Sequence, residues 1–296
     1  MSLSGTLARS PSPVRFCLAV LSSLVLSSAL FTFSSSLVGN HIGHVSKHLE
    51  EWWEVAGLLA WRVAEVGLAW VLGFDGFDVA SFVYLTHLPT NVLLSAFYDI
   101  RPTAVLLSSA ITIISTAIPF ALLRQPWPAH KMSGASPAVA NRAILQDIGT
   151  TISTTLTATS IYTVILFASF ATWLPTHLVL HFGTIVDISI VHEGSASIRA
   201  LLIPLVLAGF ATRDFLFVSS AAHSATEKTA PKGRILISRI VPLATGVLLT
   251  TIVQLAGTIK NVSVEGAAGL GALFALSTLV AGAAFGWIEA VETLEK

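Results

Sequence analysis

His177 and His181 stand four residues apart and would share one face of a helix, a spacing that can present two imidazoles to a metal ion. His41, His44 and His48 follow at i, i+3 and i+7 in a polar stretch, and there they read as a solvated linker face. Arg62 and Glu65 lie at i,i+3 inside an apolar run, on one helix face. An ionisable pair at that depth must face protein or a wet cavity, either as a neutralised clamp between helices or as part of a substrate or proton path. Asp75 and Asp78 form a DxxD in a turn before the next run and read as helix-terminal acids. Glu65, Asp187 and Asp214 are the embedded carboxylates that could stabilise a cationic isoprenoid, and their spacing singles out none of them.

Enzymatic readings end there. Membrane di-iron desaturases and hydroxylases combine HxxxH elements with adjacent His-His pairs, and no His-His dipeptide occurs in this chain. His177 and His181 therefore read as polar residues at a membrane interface. No Gly-rich phosphate loop, serine nucleophile elbow or DDxxD motif is present. No catalytic residue, metal site or cofactor is assigned. The stronger pattern suits a passage through lipid, because Pro89 and Pro175 occupy matched positions in two similar segments. Interrupted helices in related halves are how many transporters build a polar site near the midplane. Arg62, Glu65, Pro89, Asn91, Pro175, His177, His181 and Asp187 are the candidate ligand or pathway residues.

The elements that must position them are set by composition. Of 296 residues, 54% are hydrophobic and 11% charged, against about 25% charged in an ordinary soluble domain. The solvent for so much apolar surface is lipid. Lys plus Arg equals Asp plus Glu at sixteen each, so no global field points to nucleic acid. The single cysteine, Cys17, excludes an intramolecular disulfide. Residues 1–15 are a polar leader, 16–288 a transmembrane bundle with hydrophilic loops at 124–147 and 218–235, and 289–296 an acidic tail. Phe16–Val38 reads as a first span rather than a cleaved signal, because it is long enough at ~1.5 Å per residue to cross a hydrocarbon core of ~30 Å. Trp52-Trp53 opens the second span at a height that suits the headgroup region.

Thr86–Ile100 and Thr172–Ile190 share Thr, Leu, Pro, Thr and Leu at five of their first nine positions. This predicts an internal duplication, with repeat units at about 78–124 and 166–217. Charge placement then counts the spans. The leader and the loops rich in Lys and Arg belong on the cytosolic side. All of them agree only if Val79–Phe97 crosses and Leu174–Ile190 does not. That gives eight spans, within a range of seven to nine, with both termini inside and the sequon Asn261-Val262-Ser263 outside.

The order SFATWLP…HF within Ile148–Phe217, and YDIRPTAVL at Tyr98–Leu106, resemble segments of an unassigned group of multi-spanning membrane proteins from filamentous fungi. The resemblance covers about two thirds of the chain and implies a polytopic membrane protein without an assigned activity. Where that group shows an Ala-His pair, this chain has Val191-His192-Glu193. The expected object is an all-α polytopic integral membrane bundle, in the endoplasmic reticulum or the plasma membrane. Its expected role is a small-solute or lipid-related transporter or channel-like protein; the alternative is a non-catalytic membrane scaffold or assembly factor, with a membrane enzyme third. Its partners are the bilayer and a second copy or helix docked on the Gly/Ala face of 264–288, where Gly282 and Gly286 form a GxxxG.

Overall fold

The computed structural model describes residues 12–98, 100–127, 130, 145, 147–183, 185, 194–220 and 232–294. Among these the chain is all-α. Its helices are α1 (Ser12–Ile42), α2 (Trp52–Val71), α3 (Gly76–Phe97), α4 (Pro102–Leu123), α5 (Ile148–Ala171), α6 (Leu174–His181), α7 (Gly194–Thr212), α8 (Lys232–Thr258) and α9 (Val264–Leu294). A π-helical turn, Arg213–Val218, extends α7. Seven of these stretches are long and apolar enough to cross a membrane. The eighth long helix, α2, has 20 residues but carries Glu54, Arg62 and Glu65.

Contacts at the two ends fix the direction of each helix. At the end we call lower, Arg124 after α4 donates to the carbonyls of Trp70 in the last turn of α2 and Phe74 beyond it. There too Arg213 donates to Leu145 and to Thr151 of α5, and Phe16 of α1 packs against Trp70. At the upper end, single β-bridges join Ser46 to Ile259 and Phe182 to Val262. The peptides of Lys47 and Lys260 bond to those of Thr258 and Val45. The long helices therefore run alternately up and down in eight passes, while α6 stays at the upper end. The start of α1, the link before α3, Arg124 after α4, Leu145 before α5 and the π-helical end of α7 all lie low.

Hydropathy and burial run in opposite directions. The α3 window is the least apolar of the seven and the most buried, at 72%, whereas α1 is the most apolar and only 11% buried. The reason is that the bilayer, not water, is the outside: apolar side chains face lipid and polar ones turn inward. α3 packs against α4, α7 and α8 at the centre, and it turns Ser81 and Thr86 inward among buried Phe82, Leu85 and Leu93. On the perimeter Val25, Phe33, Val71, Leu122 and Val164 are exposed. Hydroxyls along the helices are satisfied one turn back, as Thr112 to Ser108, Thr163 to Thr159 and Thr251 to Val247. That is how Ser- and Thr-rich helices survive where no water can serve them.

The two similar segments do not fold alike. Thr86 lies inside α3 and Pro89 is an interior residue of that helix. Thr172 ends α5 with φ −118° and ψ −89°, and Pro175 starts α6, which has only 8 residues. A proline at a helix start loses nothing, because its missing N–H would be unpaired there anyway. The break at Thr172 therefore converts the second copy into a short cap. The duplication has no counterpart in matched elements.

The small-residue face of α9 is also occupied from within. A Cβ at Gly266 or Gly269 would stand 2.4 Å from His181 or 2.3 Å from His177. Gly282 and Gly286 receive Ile240 and Leu236 of α8. The GxxxG of Gly282 and Gly286 thus serves the contact between α8 and α9. A similar approach joins α7 to α5, where a Cβ on Gly209 would lie 2.6 Å from the Thr155 carbonyl. Gly209→Val is expected to separate these helices and lower stability by ~1–3 kcal/mol, read as a fall in thermal midpoint; an unchanged midpoint would mean the helices can shift apart without loss.

Candidate functional site

Three polar centres lie along the bundle. The lower one is built on α3. Asp75 caps that helix, accepting from the N–H groups of Phe77 and Asp78 at 3.0 and 2.9 Å. Its other oxygen accepts from the Trp127 N–H at 2.8 Å and from His130 Nδ1 at 2.7 Å. One turn inside the helix, Asp78 receives both guanidinium nitrogens of Arg239, at 2.6 and 3.1 Å. This bidentate pair is nearly enclosed, with side chains 3% and 11% exposed. The π-helical turn leaves the Phe215 carbonyl accepting from Arg239, and the guanidinium also lies over the rings of Phe74 and Phe215. Asp214 meets Ser81 at 3.4 Å. It is not the partner of its neighbour Arg213, which reaches α5 instead. So Asp75 is a helix-terminal acid, whereas Asp78 is half of a clamp between α3 and α8.

Burial alone would raise the Asp75 carboxyl. The hydrogen bond from His130 and the N–H groups of Asp78 and Trp127 outweigh it and hold the group at about 2. Burial disfavours the His130 cation, but Asp75 prevails and raises its pKa above the ordinary 6.5. The Asp75 contribution is therefore present above about 3.8 and is lost as pH falls through about 2. The His130 contribution is complete below about 6.5 and is lost as pH rises through the raised value. A melting midpoint followed from pH 6 upward should decline, and His130→Gln should flatten that decline; a parallel decline in the variant would assign it to another group. Asp75, Asp78 and His130 place ligand-type atoms within 4.8 Å of one another. Arg239 already neutralises Asp78, so the cluster reads as an ion-pair network.

The middle centre contains the sequence-predicted pair. Arg62 and Glu65 meet at 3.1 Å within α2. Glu65 also accepts from Trp61 at 3.2 Å and from Thr250 of α8 at 2.8 Å. Arg62 reaches the Thr112 carbonyl and the Thr116 hydroxyl of α4. The pair thus ties the peripheral α2 to two inner helices. Above it opens a cavity of about 550 Å³ lined by His87, Thr90 and Asn91 of α3, Ser109 of α4 and Gln254 of α8, among others. Asn91 is the one candidate pathway residue on its lining; Pro89 lies one to two residues before Thr90 and Asn91, in the same helix turn. His87, Gln254 and Ser109 were not singled out by the sequence. The usable signal was a polar residue inside an apolar run, at His87 and Gln254.

The upper centre holds His177 and His181 apart from that cavity. Their rings meet at 4.6 Å with a 48° tilt, and Trp173 packs edge-on against His177. His177 Nε2 donates to the Gly266 carbonyl at 3.2 Å, and His181 Nδ1 meets the Ser263 hydroxyl at 2.9 Å. That hydroxyl also accepts from the Gly266 N–H at the start of α9. Both histidines dock α6 onto the glycines of α9. Asp187 lies outside the described residues. The eight candidate residues are thus divided: Arg62, Glu65, Pro89 and Asn91 cluster at mid-bundle, while Pro175, His177 and His181 close the upper end.

Residues 147–288 match the family model of the bouquet formation protein 3 C-terminal domain. The matched part begins at the Asp147 cap of α5 and ends within α9, just under half of the chain. It includes α6 with its two histidines and the Arg239 half of the lower clamp, but not α1–α4. No curated protein and no solved structure matches the chain.

Proposed function

We propose that this chain is a non-catalytic membrane scaffold or assembly factor, an eight-pass bundle that holds or helps build another membrane component. The match of residues 147–288 to a domain named for bouquet formation carries this reading, because that name describes the formation of an assembly rather than a reaction. The polar chemistry supports it. In the lower and upper centres many donors and acceptors are engaged with one another, as in the pairs Asp78–Arg239 and His177–Gly266, although the buried Nε2 of His130 has no partner among the described residues. Such contacts hold helices in place. The pseudo-symmetric argument for transport loses its footing because the two similar segments fold differently.

A lipid-related transporter stands as the second reading, on the strength of the polar cavity beside Asn91. Two measurements separate them. In-cell cross-linking followed by purification into nanodiscs should yield a complex with a second membrane protein in fixed stoichiometry, while proteoliposomes of the chain alone should scramble no fluorescent lipid and pass no small solute. Flux by the isolated chain, with no stoichiometric partner recovered, would replace the scaffold by the transporter.

A further inference from the structure

The cavity beside Asn91 runs from mid-bundle to Gly43 and Ser46 at the upper end, and its lining is unusually polar for a helical bundle. Its lining includes polar groups from three helices, and some have no partner among the described residues. Thr90 donates to Gln254 Oε1 at 2.9 Å, which leaves the Gln254 amide nitrogen free. Asn91 Nδ2 donates to the Ser109 hydroxyl at 3.2 Å, which leaves the Asn91 amide oxygen free. His87 Nδ1 lies 2.9 Å from the Val83 carbonyl and so carries the proton, which leaves Nε2 as an acceptor in the neutral ring. Among the described residues the lining contains no carboxylate, lysine or arginine. Arg62 and Glu65 lie below it and neutralise each other.

These features define a ligand by elimination. A charged head would meet no counter-charge among the described lining residues, and wherever it sank below the open upper end it would lose water without compensation. A purely apolar guest would leave the free amide ends unpaired. What fits is a neutral group that both donates and accepts, such as a hydroxyl beside an amide or ester. The second observation concerns the wall. Asn91 and Ser109 also line a smaller crevice of about 180 Å³ whose other sides include Tyr84, Val105, Leu106 and Ile203. That crevice is mostly apolar, and Leu106 and Ile203 are 40% and 58% exposed on the lipid-facing surface. A polar chamber and an apolar slot thus share one wall, and the slot opens to the bilayer.

We infer that the chamber binds a neutral lipid with a hydroxyl and an amide or ester in its headgroup, of the ceramide or diacylglycerol class, with the head at His87, Asn91 and Gln254 and a chain in the crevice beside Leu106. The site does not depend on the scaffold reading, and a scaffold could hold such a lipid as a fixed component.

The test uses the full chain in phosphatidylcholine nanodiscs with photoactivatable ceramide and diacylglycerol probes, beside equivalent phosphatidylcholine and phosphatidylserine probes. The neutral probes should label peptides of α3 and α4, and unlabelled ceramide or diacylglycerol should compete. Asn91→Leu should cut that labelling about tenfold, the scale of one or two lost hydrogen bonds. Ser108→Phe, which fills the chamber from α4, should do the same; either variant is read only where its thermal midpoint matches the parent. Equal labelling by the phospholipid probes would overturn the inference, as would labelling that survives in both folded variants. Displacement by millimolar glycerol would assign the chamber to a free polyol and overturn it as well.

Discussion

Arg239→Met is expected to lower the stability of the folded bundle by ~3–5 kcal/mol, because it strands the Asp78 carboxylate in a buried site. Asp78 would keep the Ser219 hydroxyl at 3.4 Å, while Phe215 would lose the donor to its carbonyl. Asp78→Asn should cost less, since the amide oxygen can still accept from the guanidinium. The decisive variant is the double replacement Asp78→Leu with Arg239→Met. Removing both charges together should restore most of the loss, as apolar replacements of buried pairs generally do. Thermal midpoints followed by tryptophan fluorescence in one detergent would show it. Additive losses in the double variant would mean that the two residues stabilise the fold separately.

Glu65→Leu is expected to be nearly as damaging, by ~3 kcal/mol or more, because three donors converge on that carboxylate. Trp61, Arg62 and Thr250 all lose their acceptor. Arg62 retains Thr112 and Thr116 on α4, so α2 should loosen from α8 before it loosens from α4. Glu65→Gln keeps an oxygen for two of the donors and should lose about half as much. A cysteine placed at Gly57, where a side chain meets no neighbour within 4 Å, should become faster to label in the Leu variant. An unchanged rate would confine the effect to the ion pair and clear α2 of movement.

Much of the architecture was legible in the chain. The apolar runs, the all-α class and the eight passes follow from composition and charge placement, because lipid imposes length and loop charge imposes direction. The short, non-crossing α6 was readable from the same charge count, even though its resemblance to α3 argued for a crossing. What decided against the resemblance is local: the chain breaks at Thr172, so Pro175 falls at a helix start, where proline is harmless, while Pro89 falls inside one. The Arg62–Glu65 pair was visible because its members are three residues apart. The Asp78–Arg239 pair was not, because 161 residues separate its members and only the packing of α3 against α8 joins them. For the same reason the sequence placed Asn91 in a polar site but named neither Gln254 nor Ser109 as its companions. The glycines of α9 announced a close helix contact and gave no sign that its occupant was the chain itself.

The central position of α3 bears on how the protein is made. This helix enters the membrane third, with Asp78 already at its lower end, yet the arginine that neutralises this acid is synthesised 161 residues later. At ~5–20 residues per second, the ribosome takes roughly 10–30 s to deliver it. Through that interval the nascent α3 has no resting place as a lone helix in hydrocarbon. It must wait beside the translocation machinery, against an insertion chaperone, or in a half-built bundle with water at its lower end. Until α8 arrives, Asp78 has to be served by water or by another partner at the lower end of α3.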